Sequence, residues 1–257
     1  MRWRSAVALL AMLCSPAAAR AEPLRAVYAV QAAGMQVVRV EVLFDLSGPS
    51  HYRIESRMNF TGVASWFTSG RMFSRVDGVW VGDAARPSRY VSEGSWRGEP
   101  RQVALDYAGG QPVLRQIVPA HDPDREPVPP SLQTHTIDSL SALAQLSRTL
   151  EETGGCEERA AIFDGRRRGN VVVRTQGRDY LPPLGAAWTG EAVRCGFTAR
   201  QIAGFRRDDG EDTREPQEGT AWMARPRPGA PILPVRVEMP GRWLGRLTAY
   251  LVELGPA

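Results

Sequence analysis

The sequence predicts a mainly β protein: a curved antiparallel meander forming a half-barrel or incompletely closed β-barrel, with one amphipathic helix packed on it. Three observations carry this reading. Period-two alternation of apolar and polar residues recurs through most of the chain, glycine-containing pairs separate the alternating runs, and a single stretch near the middle changes to helical spacing.

The alternation is clearest from 51 to 60, where Tyr52, Ile54, Ser56, Met58 and Phe60 face one way and His51, Arg53, Glu55, Arg57 and Asn59 the other. Leu24, Ala26, Tyr28 and Val30 repeat the pattern, as do Val38, Val40, Val42 and Phe44, with Ala33-Gly34 as the turn of a hairpin. Further strands fit 71–81, 88–97, 101–107 and 112–118. Asp77-Gly78, Arg97-Gly98 and Gly109-Gly110 punctuate them, because glycine accepts the positive φ of tight turns. The piece Gly62 to Phe67, with Trp66 and Phe67, breaks the alternation and reads as one helical turn or a loop tucked under the sheet.

Prolines at 119, 123, 127, 129 and 130 make an extended connector over 119–134. It separates an N-terminal strand meander from a helix-plus-strands half within one β-rich domain, 22–257. After it, Thr136 or Asp138 caps a helix whose apolar residues Ile137, Leu140, Leu143, Ala144 and Leu150 share one face, ending at Gly154-Gly155. Strands resume near 157–163, 170–175, 190–205, 219–224, 232–239 and 243–254, the first two joined by Asp164-Gly165. Arg206 to Gln217 is a charged, solvated loop.

Residues 1–21 read as a cleavable secretory signal: Arg2 and Arg4, an apolar run from Ala6 to Leu13, then small residues ending Ala19-Arg20-Ala21, with cleavage between Ala21 and Glu22. The run is about half of the roughly 20 apolar residues that a membrane span needs. Cys14 raises the alternative of a lipoprotein, but Leu13 before it is not the small residue such processing requires. The expected location is the periplasm, with no transmembrane segment in the mature chain.

The formal net charge of +4 includes Arg2, Arg4 and Arg20, so cleavage after Ala21 leaves +1, which is no nucleic-acid signal. Of the three cysteines only Cys156 and Cys195 remain after cleavage, and an even pair in an oxidising compartment most simply forms a disulfide. Two thiols without a nearby histidine do not complete a tetrahedral metal site, so no metal or other cofactor is expected.

His51, His121 and His135 have no partner at metal-ligand spacing, and hydrolase, nucleotide and metalloprotease motifs are all missing. No catalytic residue is assigned. Asp138, Ser139 and Ser141 combine a carboxylate with hydroxyls, but first-turn residues of this kind cap a helix and complement its dipole. Arg166, Arg167 and Arg168 form the densest charge cluster, either a solvated hairpin rim or a candidate anion contact, since guanidinium forks match phosphate and carboxylate. Tyr28, Tyr52, Trp66, Phe67, Trp80, Trp96, Trp188, Trp222 and Trp243 either fill the core of the curved sheet or line a cavity for an apolar ligand.

Several pieces together resemble the exported bacterial family catalogued as domain of unknown function 3108. They are the hairpin Tyr28 to Val42, Ile137-Asp138-Ser139-Leu140-Ser141-Ala142-Leu143, Cys156, Phe163-Asp164-Gly165-Arg166-Arg167, Cys195, Ile202-Ala203-Gly204 and Leu233-Pro234-Val235-Arg236-Val237. The chain departs from it at Ser139, where proline is expected. The resemblance implies a periplasmic, β-rich protein of a Gram-negative cell and transfers no activity or catalytic residue. The functional expectation is therefore a non-catalytic envelope protein binding an apolar or amphipathic ligand, with a lipid or envelope component as partner. A scaffold or assembly partner of envelope proteins and an envelope hydrolase are the alternatives.

Overall fold

A computed structural model describes residues 22–46, 48–61, 70–96, 98–241 and 245–257. The signal segment with Ala21, the Gly62 to Phe67 piece, Arg97 of the Arg97-Gly98 turn and Trp243 lie outside the described residues.

Seven strands come first: β1 (Leu24–Ala32), β2 (Met35–Asp45), β3 (His51–Phe60), β4 (Gly70–Val81), β5 (Ala84–Trp96), β6 (Glu99–Ala108) and β7 (Gln111–Val118). The helical turn α1 (Pro130–Gln133) and the helix α2 (Ser139–Thr153) follow. The chain then returns to strands: β8 (Glu158–Phe163), β9 (Arg168–Leu181), β10 (Gly190–Ala203), β11 (Gln217–Ala224), β12 (Leu233–Gly241) and β13 (Gly245–Pro256). The 13 strands form one sheet in the order β7-β6-β5-β4-β3-β2-β1-β13-β12-β11-β10-β9-β8, each neighbouring pair antiparallel.

Two meanders thus meet where the first strand pairs with the last, Leu24 opposite Pro256 and Ala32 opposite Leu247. The free edges are β7 and β8, which are consecutive along the chain. The sheet is curved but not closed, and the segment between those strands lies at the seam. Ile137 forms a parallel bridge with Ile162, donating N–H to the Ala161 carbonyl (2.9 Å) and accepting from the Phe163 N–H (2.9 Å). Arg166, on the turn after β8, reaches the other edge and donates to the carbonyls of Val118 (2.5 Å) and Pro119 (3.2 Å).

The alternation read from the sequence sorts burial as expected. Tyr52 and Ile54 are buried while His51 and Arg53 are exposed. Asp77-Gly78, however, is not a turn. It lies inside β4 at a register shift, and the turn falls at Gly82, with φ +58°. Gly78 stands directly opposite Tyr52, and a Cβ there would lie 2.2 Å from Tyr52 Cζ. The missing side chain makes room for a buried ring, the second reason for a glycine within a strand.

α2 begins at the cap Asp138, whose carboxylate accepts the Ser141 N–H, and ends at Gly154 in the left-handed conformation, φ +73°. The residues of its apolar face divide between two clusters. Leu140, Leu143 and Ala144 join the larger core around Phe44, Ile54 and Leu105. Leu146 and Leu150 join a second with Val173, Val193, Met223 and the two cysteines. Burying a side chain of this size stabilises by about 1.5–3 kcal/mol, so the helix ties both halves of the sheet together. Gln145 fastens it further, accepting the Ala85 N–H (2.7 Å) and donating to the Asp83 carbonyl (2.9 Å).

The sulfurs of Cys156 and Cys195 lie at disulfide distance, with Cα atoms 5.8 Å apart and a sequence separation of 39. Intact mass under non-reducing conditions is expected two hydrogens below the free-thiol value. Cys195→Ser should lower unfolding free energy by about 3–4 kcal/mol in denaturant titration, the chain-entropy value for such a loop.

Gly165, at φ +87°, has Val103 of β6 where a Cβ would sit, 2.4 Å from its Cγ1. Gly165→Ala combines backbone strain with a clash across the seam. It should destabilise by more than about 1 kcal/mol, seen as a lowered denaturation midpoint with unchanged slope.

Candidate functional site

α2 covers only part of the concave surface made by the second meander. Register pairs Phe197 with Val173 and Ala199 with Val171, while Ala221 lies between Cys195 and Val237 on neighbouring strands. These small and medium apolar side chains therefore share one face. Ala142, Leu143, Leu146 and Thr149 of α2 stand across from them, leaving a groove of about 1050 Å³. Ligand pockets commonly run to roughly 300–1,000 Å³. Two apolar residues at its margin stay in solvent, Val81 at 59% and Met239 at 40% exposure. Glu158 is engaged at one wall, accepting from Gln145 (3.3 Å) and from Thr149.

At one end the groove runs into a recess of about 230 Å³, the two sharing Ser139, Ile162, Val171 and Ala199. Gly169 forms part of its lining, and Arg167, Arg168, Arg200 and Gln201 stand around it. Arg167 and Arg168 of the sequence-derived arginine cluster are therefore brought to the end of the groove, while Arg166 turns to the seam. Arg167 pairs with Asp164 (2.8 Å) and remains 59% exposed. Arg168 donates to the Leu132 carbonyl (3.0 Å) and Asn170 Oδ1 (2.8 Å). Burial pushes the Asp164 carboxyl up, but the Arg167 charge and the N–H groups of Arg166 (2.9 Å) and Arg167 (2.7 Å) outweigh it and hold the group below its ordinary value.

Asp138 and Ser141 sit elsewhere, fully buried beneath the start of α2. Tyr52 Oη donates to Ser141 Oγ (2.8 Å), which donates to Asp138 Oδ2 (2.6 Å), and the Ser141 N–H donates to Asp138 Oδ1 (2.9 Å). This chain of bonds satisfies the helix start inside the core and is closed to a solvent-borne substrate. Burial drives the Asp138 carboxyl above its ordinary value, opposed in part by the bonds from Ser141. Burial likewise raises Tyr52, and pushes Tyr90 up to about 12.

His51, His121 and His135 are all exposed, His135 at the wall of the groove. Of the aromatic residues, Tyr28, Tyr52, Trp80 and Trp222 are buried in the core, Trp188 packs against it, and Trp96 meets Phe60 at 5.4 Å. They fill the sheet rather than line the groove, whose aromatic contribution comes from Phe197. Sequence reasoning did not single out Phe197, Ala199, Met223 or Val237. The signal present was Val193, Cys195, Phe197 and Ala199 at period two, which identifies an apolar face but not that part of it stays uncovered.

A curved, unclosed antiparallel sheet with an internal helix is the architecture of β-barrel-like proteins. A crystal structure of a β-barrel-like protein of domain of unknown function DUF1849 from Brucella abortus aligns with 93% of this chain and 99% of its own, at 11% identity and a TM-score of 0.54. A second structure, titled a "putative lipoprotein" from Parabacteroides distasonis, covers 92% of this chain and 96% of its own at 11% identity, with a TM-score of 0.32, too low to carry an argument. The family described as Protein of unknown function (DUF3108) matches residues 25–252, and the chain belongs to it. No curated protein matches the sequence. Among the described residues no helix is long and apolar enough to cross a membrane.

A carboxyl whose folded pKa is raised binds more protons folded than unfolded, so its contribution to stability is present at low pH and lost as pH climbs from about 3.9 toward the raised value. Asp138→Asn keeps a capping oxygen and removes the charge. The difference in unfolding free energy, Asp138→Asn minus wild type, should therefore become more positive between pH 3 and pH 7, read from urea titrations.

Proposed function

We propose that this chain is an exported, non-catalytic envelope protein of the periplasm that binds an apolar or amphipathic ligand, a lipid or other envelope component, in the groove between α2 and the second meander. The observation that carries the reading is the groove itself, about 1050 Å³ lined largely by aliphatic side chains. Apolar surface left in water costs about 25 cal/mol per Å², so an apolar occupant gains affinity simply by covering it. Export is supported by the signal-like residues 1–21 and by a cysteine pair at disulfide distance, an arrangement suited to an oxidising compartment. The non-catalytic reading is supported by the closed Asp138–Ser141–Tyr52 chain, whose hydroxyl and carboxylate are both engaged in the core.

The test is native mass spectrometry of protein purified from its own periplasm, followed by solvent extraction of what travels with it. A mature chain starting at Glu22 with a co-purifying lipid is expected. Ala199→Trp, which adds an indole on the groove face, should reduce the lipid-bound fraction several-fold while leaving the melting temperature nearly unchanged. Protein that carries no extractable lipid would overturn the ligand reading and favour an assembly partner.

A further inference from the structure

We infer that the ligand is an acyl lipid with a phosphate head group, its chain in the groove and its phosphate in the recess beside Arg167, Arg168 and Arg200. The inference rests on the groove reading above and adds the head-group chemistry. The two spaces share Ser139, Ile162, Val171 and Ala199, so an occupant passes from an aliphatic lining to a charged one without crossing a wall. That change of lining is the pattern an amphiphile requires.

The sign of the charge follows from the groups present. Arg167, Arg168 and Arg200 meet one carboxylate, Asp164, which is already held by Arg167 and by two backbone N–H groups. The exposed guanidinium of Arg200, whose backbone pairs with Asn170 of β9, makes no side-chain hydrogen bond or ion pair among the described residues, and Arg167 remains largely in solvent. Ser139, the exposed first residue of α2, lines the same recess, while the helix start itself is capped by the buried Asp138. Gly169 also lines the recess, where a Cβ would stand 3.2 Å from the Arg200 carbonyl oxygen. The guanidinium groups favour an oxyanion with several acceptor oxygens, and a neutral head would leave their charge unmatched.

The probes are oleoyl glycerol phosphate and oleoyl glycerol, which share a chain and differ in the phosphate. Their affinities are compared by tryptophan fluorescence below the micellar concentration. Wild type should bind the phosphate lipid roughly tenfold or more tightly than the neutral one, the size expected of a charge-assisted hydrogen bond, and high salt should narrow the gap. Ser139→Asp places a negative charge in the recess at a helix position where acids are stabilising, so the fold is retained. It should abolish the preference, read as the ratio of the two affinities. Equal affinities in wild type, or a preference that survives Ser139→Asp, would overturn the head-group inference and leave the groove reading standing. Binding of neither probe would instead sink the groove reading itself.

Discussion

The pairing of the first strand with the last governs the rest of the molecule. Because β1 bonds to β13, the unpaired edges belong to β7 and β8, and the chain between them has to span the gap it leaves. An exposed strand edge is a row of unsatisfied backbone groups. Here the spanning segment supplies Ile137, which bonds to the β8 edge, and Arg166 of the β8–β9 turn reaches back to the end of β7. Gly165 tucks the intervening turn against Val103, so the seam is held by contacts and not by continued pairing.

That arrangement also explains why α2 lies inside the curve of the sheet and why its start is polar. A helix buried at its N-terminus leaves N–H groups without acceptors, and water is not there to serve them. Asp138 meets this need, Ser141 donates to its carboxylate, and Tyr52 donates to Ser141 in turn. A carboxylate and two hydroxyls in contact resemble a reactive constellation, yet each is used in holding the helix against the strands. The raised Asp138 pKa follows from the same burial, and a perturbed group here reflects structure rather than chemistry.

The groove is the complement of the helix. One helix of 15 residues cannot cover the concave surface of both meanders. It seals the first against Tyr52, Trp80 and Ala85 and reaches the second through Leu143, Leu146 and Leu150 and through Glu151, which accepts the Ile232 N–H (2.9 Å). What remains uncovered beside Phe197, Ala199 and Met239 stays apolar because those positions alternate with outward residues on the same strands. Its polar end forms where the β8–β9 turn, necessarily rich in charge, meets the start of the helix.

Much of the architecture was legible from local pattern. The alternation from 51 to 60, the helix from its cap to Gly154 and the turn at Asp164-Gly165 all reflect constraints acting over a few residues, which sequence records directly. Gly78 was misread because a glycine that relieves a turn and one that admits a ring from the next strand look alike until Tyr52 is placed opposite. The arginines were legible as a cluster, but not that Arg166 would be drawn to the Val118 carbonyl while Arg167 stayed in solvent. By itself, then, the sequence determined which residues form strands, where the helix begins and ends, and which faces are apolar, since period and capping are properties of neighbours along the chain. Only the tertiary structure decided which apolar face remains open and which charged turn stands at its end, because both depend on pairing β1 with β13, a contact between residues more than two hundred positions apart.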